Sequence, residues 1–388
     1  MFRVEKARLE GRAPSFFALL FIIAFASVNG VFYTPGLPMI QRTFGVSPGD
    51  VKMTMTLFLL GYAFGQLIYG PLANRFGRKR ALYLGIAITL VGNLMCALSG
   101  PLHTFALLLW GRLVLSLGSC AGLTLALTII TDYYYQKDAR KIIAYVTLGF
   151  AAIPGIAIAI GGSLINTFGW ESAFWGMVVY AALGWILAFR LPETGRNLHP
   201  HATKVRVIAH RYFQVFKERA LLRYGIVVGL VAATNYILAT AGPFIGSVRY
   251  GLSEAEYGLY YLIITVGLVI GGVVTGRLAH HVAERWMIAI GLSIFWIGSL
   301  LLTFLFLFTP LPVWAFFSIN AFIFLAISPI WTNGIALATS QADDKATASS
   351  AVSFLNMGTA VLAVFIYSLI PANPGPVFLF SLLAIAQG

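Results

Sequence analysis

The apolar residues of this chain fall in continuous runs, broken by short polar segments that carry most of the Lys, Arg and Pro. The runs are about 20 residues long, which suits helices rising 1.5 Å per residue across about 30 Å of hydrocarbon. Strands of a membrane barrel would alternate apolar and polar positions instead. The pattern predicts twelve spanning helices, at 15–36, 51–72, 81–100, 104–130, 140–165, 171–190, 223–246, 256–278, 286–309, 312–338, 346–370 and 374–388. The last is too short to cross, so the natural C-terminus is expected beyond Gly388. One long polar connection, the cytoplasmic linker 191–222, separates an N-terminal six-helix half, 1–190, from a C-terminal half, 223–388. Within it, the stretch from Val205 to Arg219 reads equally as an amphipathic surface helix or as a solvated linker. The expected fold class is an all-α membrane protein of two six-helix halves.

Composition agrees with that class. Hydrophobic residues make up 59% and charged residues 10% of the chain, and the mean hydropathy is +0.85. A soluble domain cannot hide so much apolar surface. The net charge of +13 sits in short loops between spans, which argues against a nucleic-acid partner and for the positive-inside rule. With the N-terminus in the cytoplasm, 22 of the 26 Lys and Arg lie on cytoplasmic segments. Three (Arg42, Lys52 and Arg249) fall on outer loops, and Arg112 lies inside a span. Residues 1–14 are basic and run into a full-length span without an A-x-A cleavage site, so the first helix is read as uncleaved. Cys96 and Cys120 sit in apolar runs, as small core residues. No CxxC, His/Glu metal pair or nucleophile elbow occurs, so no metal, prosthetic group or enzymatic activity is expected.

The loop after the second span reads Gly-Pro-Leu-Ala-Asn-Arg-Phe-Gly-Arg-Lys-Arg over 70–80. Gly70 and Gly77 are expected to permit a tight turn and close helix approach, and Pro71 to help end the preceding helix. The string resembles the cytoplasmic loop motif of the major facilitator superfamily, with Asn74 where that family usually has Asp. Residues 60–72, Leu-Gly-Tyr-Ala-Phe-Gly-Gln-Leu-Ile-Tyr-Gly-Pro-Leu, are similar to the bicyclomycin-resistance (Bcr/CflA) branch of its drug:proton antiporters. The resemblance implies a major facilitator fold of twelve helices in two pseudo-symmetric halves, in a bacterial inner membrane and acting as a monomer. A weak internal repeat fits it. Gly70-Pro-Leu-Ala-Asn aligns with Gly276-Arg-Leu-Ala-His, and Gly85 with Gly291, at one constant offset.

Arg112 is the one cation well inside a predicted span, and such a charge should face protein or a water-filled cavity. Leu108, Arg112, Gly118 and Gly122 resemble the fourth-helix motif implicated in proton transfer; a structural Arg bonded to backbone carbonyls is the alternative. The resemblance pairs Asp132 with Arg78 as an inner latch that holds while the outer side is open. That latch would belong to a gating motif of Gly70, Asn74, Arg75, Gly77, Arg78 and Asp132. Pro154, beside Gly155, should bend the fifth helix, and its context resembles the antiporter motif of exporters. Asn29 and Tyr33 lie near Val31, where Bcr-like members commonly carry Asp. No span holds a carboxylate near its middle, although a proton-coupled carrier ordinarily uses one.

The remaining candidates are uncharged. Gln66, Asn235, Tyr236 and Trp331 stand out, followed by Asn93, Tyr260, Tyr261, Asn333, Phe354 and Asn356. A cavity with such walls, and with Arg112 as its one fixed charge, would take a small amphipathic substrate that is neutral, zwitterionic or anionic. The expected activity is drug or small-molecule efflux by alternating access, driven by the proton gradient. Alternatives are an exporter of a specific metabolite or siderophore-like compound, an uncoupled facilitator, and a transporter-like sensor.

Overall fold

The computed structural model describes residues 13–195, 198, 216–279, 281–340 and 345–369. The predicted twelfth span lies outside these residues, as does the linker segment 205–215. Among the described residues the regular structure is helical, and eleven segments are long and apolar enough to cross a membrane.

The first span is built of α1 (Phe16–Ile23), α2 (Phe25–Val31), a 3-10 turn (Thr34–Gly36) and α3 (Leu37–Phe44). Pro35 cannot donate to the carbonyl of Val31, and the Thr34 hydroxyl takes that acceptor instead, at 2.8 Å. The second to sixth spans are α4 (Pro48–Phe76), α5 (Arg78–Ser99), α6 (Phe105–Tyr133), α7 (Gln136–Phe168) and α8 (Glu171–Ala188). The second group comprises α9 (Arg219–Tyr250), α10 (Glu254–Leu278), α11 (Glu284–Phe308), the broken pair α12 (Val313–Leu325) and α13 (Ile327–Thr339), and α14 (Lys345–Leu369). The α12/α13 break falls at Ala326, where Pro329 leaves the Leu325 carbonyl without its helical donor.

The internal repeat is deeper in structure than in sequence. Gly45 and Gly251 each end a helix in the left-handed region, at φ 63° and 64°. Two residues later Ser47 and Ser253 each open the next helix with a capping box, closed by Asp50 and Glu256. These pairs share the offset that relates Gly70 to Gly276.

Pro71 does not end the second helix. α4 runs five residues past it, because one missing backbone bond bends a long, well-packed helix more easily than it breaks one. Gly77 makes the stop. Its φ of 97° is open to glycine, and a Cβ there would lie 2.6 Å from the Glu193 carboxylate. Gly70 makes no close approach: a Cβ there would meet nothing within 4 Å.

Inside each group, small residues let helices touch. A Cβ on Gly118 would enter the backbone of Gly85 and Thr89, which holds α5 against α6. Large apolar side chains such as Trp110, Phe168, Phe304 and Trp314 point outward, as lipid-facing surfaces require.

The two groups meet along α4 against α14 and α7 against α10. The contact is tightest at the end away from the basic loop. There the Ser368 hydroxyl, which donates to the Phe365 carbonyl at 2.6 Å, lies 3.4 Å from Met53 Sδ, and the Lys52 Nζ sits 4.1 Å over the Tyr367 ring. Gly162 abuts the Glu254 carbonyl, and a Cβ on Gly258 would lie only 2.9 Å from the Ala159 Cα. Nearer the basic loop, the rings of Phe64 and Phe354 lie 6.1 Å apart. Beyond them Gly70 and Gly276 face open space.

A candidate substrate cavity

Between the two groups lies a cavity of about 1170 Å³ of empty space, counting the part open to solvent. The first group supplies an aromatic and apolar wall of Phe58, Tyr62, Leu123, Phe150 and Pro154, with Gln66 at its edge. The second supplies uncharged polar groups among aromatics: Asn235, Tyr236, Ser328, Trp331, Thr332 and Asn356. Helical spacing explains the convergence. Phe58, Tyr62 and Gln66 are four apart on α4, and Ser328, Trp331 and Thr332 share one face of α13. No described lining residue carries a charge.

Five of the residues singled out in the sequence meet here: Gln66, Pro154, Asn235, Tyr236 and Trp331. Asn356 joins them from the longer group of uncharged candidates. Phe58, Tyr62, Phe150, Ser328 and Thr332 were not anticipated; the four-residue spacing that ends at Gln66 was the available signal for the first two. Pro154 also borders a narrow cleft with Gly155, Tyr261 and Thr265, where the halves touch. There the Tyr261 hydroxyl donates to Asn235 Oδ1 at 3.4 Å.

Arg112, Asn29 and Tyr33 do not line the cavity. They form a sealed cluster behind it, all fully buried. The Arg112 guanidinium donates to the carbonyls of Asn29 (2.6 Å), Gly30 (3.2 Å) and Thr54 (3.3 Å). It lies 4.0 Å from the Tyr33 ring centroid and 4.4 Å from that of Phe58. The Tyr33 hydroxyl bonds Thr54 Oγ1 at 2.7 Å, and Asn93 donates to Asn29 Oδ1 at 2.8 Å. Arg112 therefore splints the broken first span, whose turn exposes carbonyls that a regular helix would satisfy itself. The expectation of a fixed charge in the cavity is corrected: Phe58 separates the guanidinium from it.

At the basic loop, Arg78 Nε pairs with Asp132 Oδ2 at 2.9 Å, as expected. Thr194 also donates to that oxygen at 3.1 Å, and Glu193 accepts the backbone N–H groups of Arg78 and Lys79 at 2.9 and 3.1 Å. The Pro-Glu-Thr after the sixth span thus caps α5, where a carboxylate also meets the helix dipole. The cluster joins α5 and α6 of the first group to the start of the linker, with no member from the second group, and it is intact while the far end is closed. The ion pair fastens α5 to α6 within one half, and here it is formed with the far end closed; the expected latch concerns the state in which the outer side is open. Asn74 and Arg75 are exposed at its rim.

The loop count is corrected: Arg42 and Arg249 lie in the last turns of α3 and α9, and Lys52 lies deeper. It is 2% exposed, inside α4 and not in a loop, because the capping box starts that helix at Pro48.

The comparisons agree with this architecture. A "Bicyclomycin resistance protein homolog" of Haemophilus influenzae is 26% identical over 68% of this chain, a match that spans 65% of that protein. A "Chloramphenicol resistance protein" of Pseudomonas aeruginosa is 24% identical over 94% of this chain and 86% of its own length. A crystal structure of a D-xylose-proton symporter superposes with a TM-score of 0.75 at 13% identity, covering 96% of this chain and 95% of that one. The family model described as Major Facilitator Superfamily matches residues 18–368. With the two helix groups and the cavity between them, this makes the chain a multi-pass membrane transporter and a member of the Major Facilitator Superfamily.

Proposed function

We propose that this protein exports a small, uncharged amphipathic molecule from the cytoplasm of a bacterium, by rocking its two halves about the central cavity. The observation that carries the reading is the cavity itself: aromatic on one wall, amide- and hydroxyl-bearing on the other, uncharged throughout its described lining. Such a site favours neutral ligands, since an ion entering it would lose hydration without gaining a counter-ion. With Arg112 sealed away, the reason to include anions falls.

Export as the direction draws on the resistance proteins that this chain resembles. The basic loops and the N-terminus are read as cytoplasmic by the positive-inside rule. On that reading the arrangement described is inward-facing, closed at the outer end. The proposed driving force is the proton gradient, and the protein is taken to work as a monomer without a cofactor.

A second reading, an uncoupled facilitator, is favoured by one observation: no carboxylate or histidine lines the described cavity. Proteoliposomes separate the two. Chloramphenicol efflux accelerated severalfold by an imposed inward proton gradient is the result expected for antiport. Transport indifferent to that gradient would leave the facilitator, and no transport of any neutral probe would overturn both.

A further inference from the structure

Asn356 differs from the other buried carboxamides. Asn29, Asn320 and Asn333 each donate to the carbonyl one helical turn back, at 2.8, 2.9 and 2.7 Å. That bond is the usual way for a helical Asn to satisfy itself locally. Asn356 makes no such bond. It is 3% exposed, it lines the cavity, and its Oδ1 is buried without a partner among the described residues. Asn235, the other carboxamide on this wall, is engaged by Tyr261.

An unpaired buried carboxamide costs about 1–3 kcal/mol and offers both a donor and an acceptor to whatever enters. Its neighbours on the cavity face of α14 are Ser353 and Met357, and the facing wall is Phe58 and Tyr62. One side of a ligand therefore meets aromatic rings and the other meets a free amide, with no charge on either side.

We propose that Asn356 is the specificity-determining residue of the cavity. It recognises an uncharged hydroxyl or carboxamide group on an amphipathic ligand and, by carrying no charge, excludes lipophilic cations. The assignment rests on the substrate reading above, and it adds the residue and the chemical group. A site built to hydrogen-bond a neutral group rejects ligands that lack one, because its own polar atoms then stay unpaired. A carboxylate at the same point would reverse the preference, since a lipophilic cation would find its missing counter-charge in a water-poor site.

The test is binding to purified full-length protein, with radiolabelled chloramphenicol as the neutral probe and tetraphenylphosphonium as the cation. Asn356→Leu should weaken chloramphenicol binding at least tenfold, and Asn356→Gln, which keeps the carboxamide, should recover most of it. Asn356→Asp should raise tetraphenylphosphonium affinity at least tenfold over wild type. Thermal melting of each variant separates lost binding from lost fold. Chloramphenicol affinity within twofold of wild type in Asn356→Leu would overturn the proposal. So would no gain of cation binding in a folded Asn356→Asp, or wild-type protein that already binds the cation as well as that variant does. If wild-type protein binds no chloramphenicol yet Asn356→Asp gains the cation, the assignment of Asn356 to ligand recognition is supported and the neutral-substrate reading is withdrawn.

Discussion

Arg112 and Lys52 are two buried cations without an ion pair among the described residues, and they are buried in different ways. Arg112 has three carbonyl acceptors and two aromatic faces, all contributed by the first half. Lys52 has one ring, Tyr367, contributed by the other half. A planar fork can satisfy several fixed carbonyls at once, which makes Arg112 part of a framework. A cation–π contact supplies about 2 kcal/mol when desolvated, while burying an ion costs several. The closed seam around Lys52 therefore carries a cost that separation of the halves would relieve. The comparison teaches that burial alone does not say whether a charge is structural; what matters is whether its partners move with it.

The largest expected effect is at Arg112. Arg112→Leu would leave the buried Asn29 and Gly30 carbonyls at the break of the first span unpaired, at about 1–3 kcal/mol each, so unfolding temperature and folded yield in detergent should fall sharply. Arg112→Lys should be nearly as damaging, because an ammonium cannot reproduce the fork. A well-folded Arg112→Leu that has lost only transport would instead put Arg112 in the coupling machinery.

Lys52→Met should act in the opposite sense. Replacing a buried charge by an apolar side chain of similar length is often neutral or stabilising, by about 1–4 kcal/mol, and here the gain falls on the closed seam. Distances between spin labels across the far end should show the open population shrinking, and turnover should slow up to tenfold with little loss of fold. Unchanged populations would make Lys52 as inert as a framework residue and collapse the contrast.

The smallest effect is expected at Asp132→Asn. The pair with Arg78 is partly solvated, at 14% and 28% side-chain exposure, so it is worth about 1 kcal/mol or less. Because both partners lie in one half, the same spin labels should report no shift between open and closed. A clear shift would identify the pair as the latch.

Much of this fold was legible because run length and loop charge are one-dimensional signals. Eleven of the spans and the basic loop follow from local chemistry. The two cations were misread for a different reason. Sequence gives the depth of Arg112 in the membrane but not the direction its helix face points, and that face meets the broken first span instead of the cavity. Lys52 was counted as a loop residue, although Ser47 and Asp50 already spelled a capping box ahead of it. Pro71 was overread as a terminator, since packing along a 29-residue helix outweighs one lost bond. The cavity walls were half legible. The polar candidates drew notice by rarity, while Phe58 and Tyr62 are ordinary aromatics until α4 is placed against the other half.

The central claim is that the halves must part at the far end in every cycle. Met53 and Ser368, whose side chains meet there at 3.4 Å, allow a direct test. With Met53→Cys and Ser368→Cys joined as a disulfide or by a short bismaleimide, transport into proteoliposomes should stop. Reduction of the disulfide should restore it, while either single substitution remains active. The native Cys96 and Cys120 are buried and should not interfere. Undiminished transport by the fully cross-linked protein would contradict the account, because substrate would then be crossing without separation of the halves at that seam.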